Sequence, residues 1–122
     1  MRKKLTSIEL LEDQRKKASS AQVLVIGSGY VGLTTALGFA SRGFRATAFE
    51  IDSAKREMIN RGEVPFVEQG LSELLKTTME SGFKVEGLLK LAEFTFLTVG
   101  TPSRDDGSID LAYIKEASRM TG

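Results

Sequence analysis

The chain has 122 residues, 41% of them apolar, and a formal net charge of +1: the size of one domain with enough apolar material for a core. It contains no cysteine and no histidine, which excludes disulfides, thiolate metal sites, a cysteine nucleophile, a Ser-His-Asp triad and a zinc site of the usual kind. No apolar run reaches the length of a membrane span and the N-terminus lacks the apolar stretch of a secretory signal, so a cytoplasmic location is expected, with no membrane partner.

Charge is unevenly distributed. Residues 1–20 carry six Lys/Arg and three Asp/Glu, whereas residues 21–122 carry eleven and thirteen. The body is therefore mildly acidic and has no nucleic-acid footprint. Residues 1–20 read as a basic helical leader. Leu5, Ile8 and Leu11 give it an apolar side, Ser7 is its expected cap, and Arg15, Lys16 and Lys17 suit the negative end of the helix dipole. Ala18-Ser19-Ser20 reads as a hinge. The leader is either a solvated extension or a docking helix for a partner chain.

Val23-Leu24-Val25-Ile26 is a short β-branched run ending at Gly27, which suits a strand buried on both faces of a parallel sheet. Leu33, Ala36, Leu37 and Ala40 then repeat at helical spacing, and Gly43 marks the stop. Ala46 to Phe49 predicts a second strand and residues 53–61 a second helix. Pro65 places Glu63 to Gly70 in a loop, and Leu71 to Met79 returns to helix. Leu88 to Ala92 reads as a curtailed helix. Phe94 to Val99 predicts a third strand, closed by Gly100-Thr101-Pro102, and a last helix is expected from Asp110 to Arg119. The order β-α-β-α-α-β-α implies an α/β fold with a parallel sheet.

Gly27-Ser28-Gly29-Tyr30-Val31-Gly32 is a G-x-G-x-x-G that follows a strand and opens a helix, the context in which this motif binds a dinucleotide. Gly27 permits the tight turn, Gly29 lets a pyrophosphate approach the backbone, and Gly32 lets helix and strand pack closely. The helix N-terminus supplies free N–H groups and the positive end of its dipole. The second half of the fingerprint is an acid at the end of the second strand, and Glu50 stands there. A carboxylate at that place accepts bonds from the ribose hydroxyls and repels a 2′-phosphate, so NAD is expected rather than NADP. Arg45 and Arg56 are the counter-argument, since an arginine near the pocket accommodates that phosphate. Asp52 competes for the ribose role but reads better as the cap of the helix at 53–61. Residues 21–122 are thus expected to form the N-terminal part of a dinucleotide-binding Rossmann domain: a parallel sheet with helices on both faces, cut short after about three strands.

Four segments carry a more specific likeness. They are Val25-Ile26-Gly27-Ser28-Gly29-Tyr30-Val31-Gly32-Leu33, the loop from Asn60 to Leu71 with its Pro65-Phe66-Val67-Glu68-Gln69-Gly70-Leu71, Val99-Gly100-Thr101-Pro102-Ser103, and Asp106-Gly107-Ser108-Ile109-Asp110-Leu111. Together they resemble the N-terminal NAD-binding domain of the UDP-glucose/GDP-mannose 6-dehydrogenase family. The resemblance implies oxidation of the C6 hydroxyl of a nucleotide sugar, of the UDP-glucose to UDP-glucuronate type, with two NAD+ consumed. It implies cofactor contacts at Gly27, Gly29, Tyr30, Val31, Gly32, Glu50, Lys55, Val99, Gly100 and Thr101, with Lys55 near the adenosine end and Thr101 beside the cofactor. Glu50 stands where the family usually has Asp, and Glu68 reads as structural, tying down its loop.

The stretch from Gly82 to Gly100 is shorter than the family pattern by about one helical turn. In the family the catalytic cysteine, its lysine partner and the sugar-binding domain lie beyond the position of Gly122, so this chain is expected to be catalytically incomplete. In the complete enzyme the partners are NAD and a UDP-sugar. The open sheet edge is expected to drive self-association. The alternative is a stand-alone NAD-binding or interaction module without dehydrogenase activity.

Overall fold

The computed structural model describes residues 6–90 and 92–121. Leu5 and Leu91, and the side chains of Arg15, Lys16 and Lys17, lie outside the described residues. In chain order the elements are α1 (Ser7–Ser20), β1 (Gln22–Ile26), α2 (Tyr30–Ser41), β2 (Arg45–Phe49), α3 (Ser53–Asn60), α4 (Leu71–Glu80), β3 (Val85–Glu86), β4 (Phe94–Leu97) and α5 (Ala112–Thr121). The strands pair in parallel in the order β3-β2-β1-β4.

β1 shows why its sequence is an unbroken apolar run. Side chains alternate across a strand, and here both faces are covered. Val23 and Val25 join a core with Ala46 and Ala48 of β2, Leu33, Ala36 and Leu37 of α2, Ile59 of α3, and Leu71 and Leu75 of α4. Leu24 and Ile26 point the other way, into a smaller cluster with Phe49, Ala117 of α5, and the half-buried Leu97 and Val99. Helices therefore lie on both faces, as the alternation of elements implies. The second face is thinner: α5 contributes one fully buried residue, and Phe94 and Phe96 of β4 remain 57% and 38% exposed on the sheet's edge strand.

Several sequence expectations change. Among the described residues the sheet has four strands. The added β3 is two residues long, too short for a periodic signal, and the side-chain amide of Asn60 secures it. Asn60 Nδ2 donates to Val85 O at 2.8 Å, and Val85 N–H donates to Asn60 Oδ1 at 3.0 Å. No helix forms over Leu88–Lys90 or at Ala92. β4 ends at Leu97 rather than Val99, and Thr98 after it donates both its N–H and its hydroxyl to Ile26 O of β1. α5 begins at Ala112, with Asp110 outside it: Asp110 Oδ1 accepts from Ala112 N–H at 2.9 Å. α1 runs through Ala18-Ser19-Ser20, so the hinge expected there is helix. Its cap is Thr6, not Ser7. Thr6 Oγ1 accepts from Glu9 N–H at 3.2 Å while Glu9 Oε2 accepts from Thr6 N–H at 2.9 Å, a reciprocal capping box. Among the described residues, no helix is long and apolar enough to cross a membrane.

Candidate functional site

The chain order of the strands reverses at one place. From β1 the path moves through β2 to β3 on one side, then returns to place β4 on the other side of β1. In open α/β sheets the crevice at such a switch point, outside the carboxyl ends of the strands, is where ligands bind. Here it is flanked by the turn after β1 and the segment after β4.

The turn is tightly built. Gly27 has φ +100°, a left-handed conformation that L side chains rarely adopt, and its N–H donates to Phe49 O at 2.9 Å. Thr98 N–H donates to Ile26 O at 2.9 Å, and Thr98 Oγ1 lies 2.8 Å from the same oxygen and 3.2 Å from Gly27 O. One threonine thus pins the end of β4 to the end of β1. A Cβ on Gly32 would lie 2.9 Å from the Gly27 carbonyl carbon and closer still to the Gly27 oxygen and Thr98 Oγ1. Only glycine lets α2 approach the turn this closely.

Gly29 is different. It is the N-cap of α2 with ordinary φ −70°, and a Cβ there would meet nothing within 4 Å. Neither its backbone nor its neighbours require glycine, so the space is left open toward the crevice. No side chain caps α2 and no acid stands in its first turn. Its first N–H groups and the positive end of its dipole face that opening unopposed by a side-chain cap, a suitable bed for phosphate. Tyr30 and Val31, both exposed, form the rim. The Tyr30 ring packs against Phe66 with centroids 5.2 Å apart, and its hydroxyl donates to Glu68 Oε2 at 3.2 Å. That bond and the Glu68 charge raise the Tyr30 pKa. Glu68 thus ties its loop to the start of α2.

Glu50 follows β2 directly and is 8% exposed. Ser28 Oγ donates to Glu50 Oε1, Lys55 Nζ stands 3.5 Å from the same oxygen, and Asp52 N–H donates to Oε2 at 3.1 Å. Burial alone raises the carboxyl pKa, but the Ser28 hydroxyl, the Asp52 N–H and Lys55 outweigh it, and the net direction is down. The group is a charged acceptor beside the uncapped start of α2. Asp52 is the cap of α3, with Oδ1 accepting from Ala54 N–H at 3.0 Å and Lys55 N–H at 3.2 Å.

The two arginines divide. Arg45 starts β2 opposite Gln22, at the far end of the sheet from the crevice. Arg56 is near, but its Nη1 donates to Glu50 O at 2.7 Å and its guanidinium covers Gly87, where a Cβ would lie 2.7 Å from the guanidinium carbon. It is committed to backbone.

The structure therefore brings together Gly27, Gly29, Tyr30, Val31, Gly32, Glu50 and Lys55 on the β1–β2 side. Val99, Gly100 and Thr101 lie on the β4 side, with Val99 half-buried against the second cluster and Gly100 and Thr101 exposed. The sequence reading missed Ser28 and Thr98. Both are small hydroxyl residues at the ends of apolar strands, and that placement is the signal that could have singled them out.

Comparison with known proteins agrees with this geometry. Residues 21–122 match the family model described as UDP-glucose/GDP-mannose dehydrogenase family, NAD binding domain. The GDP-mannose 6-dehydrogenase of Azotobacter vinelandii is 37% identical over 106 residues, covering 83% of this chain and 24% of that protein. The UDP-glucose 6-dehydrogenase of Pseudomonas aeruginosa is 36% identical over 107 residues, covering 83% of this chain and 23% of that protein. A crystal structure of a ternary complex of GDP-mannose dehydrogenase from Pseudomonas aeruginosa superposes with a TM-score of 0.76 at 33% identity, covering 80% of this chain and 24% of that one. The chain spans a quarter or less of the length of the curated relatives it matches. A glycine turn at the switch point, an acid after β2 and a family match over residues 21–122 agree: the chain belongs to the UDP-glucose/GDP-mannose dehydrogenase family, within its NAD binding domain.

Proposed function

We propose that residues 21–122 form the cofactor-binding part of a nucleotide-sugar 6-dehydrogenase, with UDP-glucose as the substrate type. Bound NAD+ supplies the hydride acceptor for oxidation of the sugar hydroxyl. The residues of this chain bind and orient it. The N–H groups opening α2 hold the pyrophosphate over Gly29, where the backbone leaves room for it. Glu50 accepts from the adenosine ribose hydroxyls, with Lys55 at its side. Val99, Gly100 and Thr101 line the opposite wall, toward the nicotinamide. The similarity to the UDP-glucose 6-dehydrogenase of Pseudomonas aeruginosa supports that sugar, and other relatives are dehydrogenases of GDP-mannose and UDP-N-acetyl-D-mannosamine. The open edge of β4, with Phe94 and Phe96 exposed, supports self-association of this chain when nothing covers it.

The observation that carries the cofactor assignment is the buried, charged Glu50 beside an uncapped helix start. Calorimetric titration tests it. NAD+ is expected to bind more tightly than NADP+, and Glu50→Ala is expected to weaken NAD+ and narrow the gap. Equal binding of both by the unaltered chain would remove Glu50 from the ribose site.

A further inference from the structure

The Glu50 carboxylate stands in one fixed place. A glutamate side chain has three rotatable bonds, and at the end of a strand it has several rotamers open to it. Here its position is fixed from behind. Ser28 is fully buried, at 0% exposure, inside the turn that follows β1, and its hydroxyl donates to Glu50 Oε1. The two residues are 22 positions apart in sequence and belong to the ends of neighbouring strands. Ser28 has no route to solvent, so its hydroxyl serves the carboxylate. Lys55 Nζ, at 3.5 Å, approaches the same oxygen, whereas Oε2 takes the Asp52 N–H at 3.1 Å. The carboxylate is thus held from one side by a buried donor belonging to the phosphate turn itself.

We infer that Ser28 is a positioning residue that sets the preference for NAD over NADP by locking the Glu50 carboxylate in place between turn and ribose. This rests on the reading of Glu50 as the ribose carboxylate. The mechanism is simple. A 2′-phosphate is rejected only if the negative charge cannot swing away from it. With Oε1 bonded to a hydroxyl that cannot move, the charge stays. Without that bond, the side chain rotates toward solvent beside Lys55 and the site accommodates the phosphate better. The same rotation carries away the acceptor that the ribose hydroxyls need, so NAD+ weakens as NADP+ gains.

The test is a double-mutant cycle on the full chain, read as the ratio of NADP+ to NAD+ dissociation constants. The variants are Ser28→Ala, Glu50→Gln and both together. Ser28→Ala is expected to lower the ratio by roughly three- to tenfold, a part of what a hydrogen bond to a charged group is worth. In the Glu50→Gln background the same serine change is expected to move the ratio hardly at all, because Ser28 acts through the carboxylate. A purely structural serine would weaken both cofactors equally in either background, and that result overturns the proposal. If Glu50→Gln leaves the ratio unmoved, the ribose reading of Glu50 falls, and the Ser28 proposal with it. If Glu50→Gln collapses the ratio while Ser28→Ala does not touch it, the Ser28 proposal falls alone. Should Ser28→Ala fail to fold, Ser28→Cys, which keeps the volume and weakens the donor, takes its place in the cycle with the same expected and overturning results.

Discussion

Gly29 and Gly32 stand three residues apart in one motif, yet alanine at the two positions is expected to do opposite things. At Gly32 the added Cβ lands 2.9 Å from the Gly27 carbonyl carbon and nearer still to its oxygen and to Thr98 Oγ1. All three are backbone atoms or a hydroxyl already bonded to backbone, so none can swivel aside. Reaching an ordinary contact of ~3.5 Å requires the start of α2 to back away from the turn. Leu33, Ala36 and Leu37, all fully buried, would be drawn out of the core with it. The cost is about 2–3 kcal/mol. At Gly29 the added Cβ meets nothing within 4 Å, and the backbone there, φ −70°, suits any residue. Alanine is a poorer N-cap than glycine but restricts the unfolded chain, so the two effects oppose and stability stays within about 1 kcal/mol of wild type. Its methyl occupies the space proposed for pyrophosphate, so NAD+ affinity is expected to fall about tenfold or more. Urea denaturation and NAD+ titration of the two variants check this directly. A Gly29→Ala protein that binds NAD+ as the parent does would show that no phosphate approaches that backbone. A Gly32→Ala protein of parental stability would refute the packing argument.

Thr98→Val keeps the shape but removes the hydroxyl that lies 2.8 Å from Ile26 O, so it is expected to cost about 1–2 kcal/mol in denaturation and to weaken NAD+, with Thr98→Ser restoring both. Parental stability for the valine variant would show that the strand ends hold without it. Glu50 makes stability depend on pH. Its pKa in the fold lies below the ordinary 4.5, so its contribution is fully present above that value and is lost as pH falls through the lower, folded one. The urea midpoint is expected to hold from neutral pH to about 4.5 and then decline, with a shallower decline in Glu50→Gln. Identical profiles for the two proteins would contradict the assigned shift.

How much of this could be read from the sequence depends on how local each cause is. The parallel sheet, the crossover helices and the glycine turn were legible because each is written in consecutive residues: an unbroken apolar run, a repeat at helical spacing, three glycines in six positions. Asp52 as a cap was legible for the same reason, since its partners are Ala54 and Lys55. β3 was not. Two residues carry no period, and what holds Val85 is its pairing with Ala48 of β2 and the side chain of Asn60, 37 and 25 positions earlier. Thr98 was missed because no pattern along the chain shows which hydroxyl turns back onto Ile26, 72 positions away.

The arginines carry this distinction into function. Sequence alone made Arg45 and Arg56 equal objections to NAD, since both lie within six residues of Glu50. Strand direction separates them. A residue at the start of a parallel strand cannot serve a site at the strands' carboxyl ends, which removes Arg45. Arg56 is near enough, but its guanidinium is bonded to Glu50 O and packed over Gly87, so greeting a 2′-phosphate would mean leaving a backbone carbonyl unpaired. Lys55, also nearby, already faces the Glu50 carboxylate. The proposed preference for NAD therefore rests on where the positive charges are spent as much as on the acid itself. Removing the acid while Arg56 stays bound, with NAD+ and NADP+ titrated calorimetrically, tests that. Glu50→Gln leaves the arginine's backbone partner intact, so it should lose affinity for NAD+ without becoming a strong NADP+ binder.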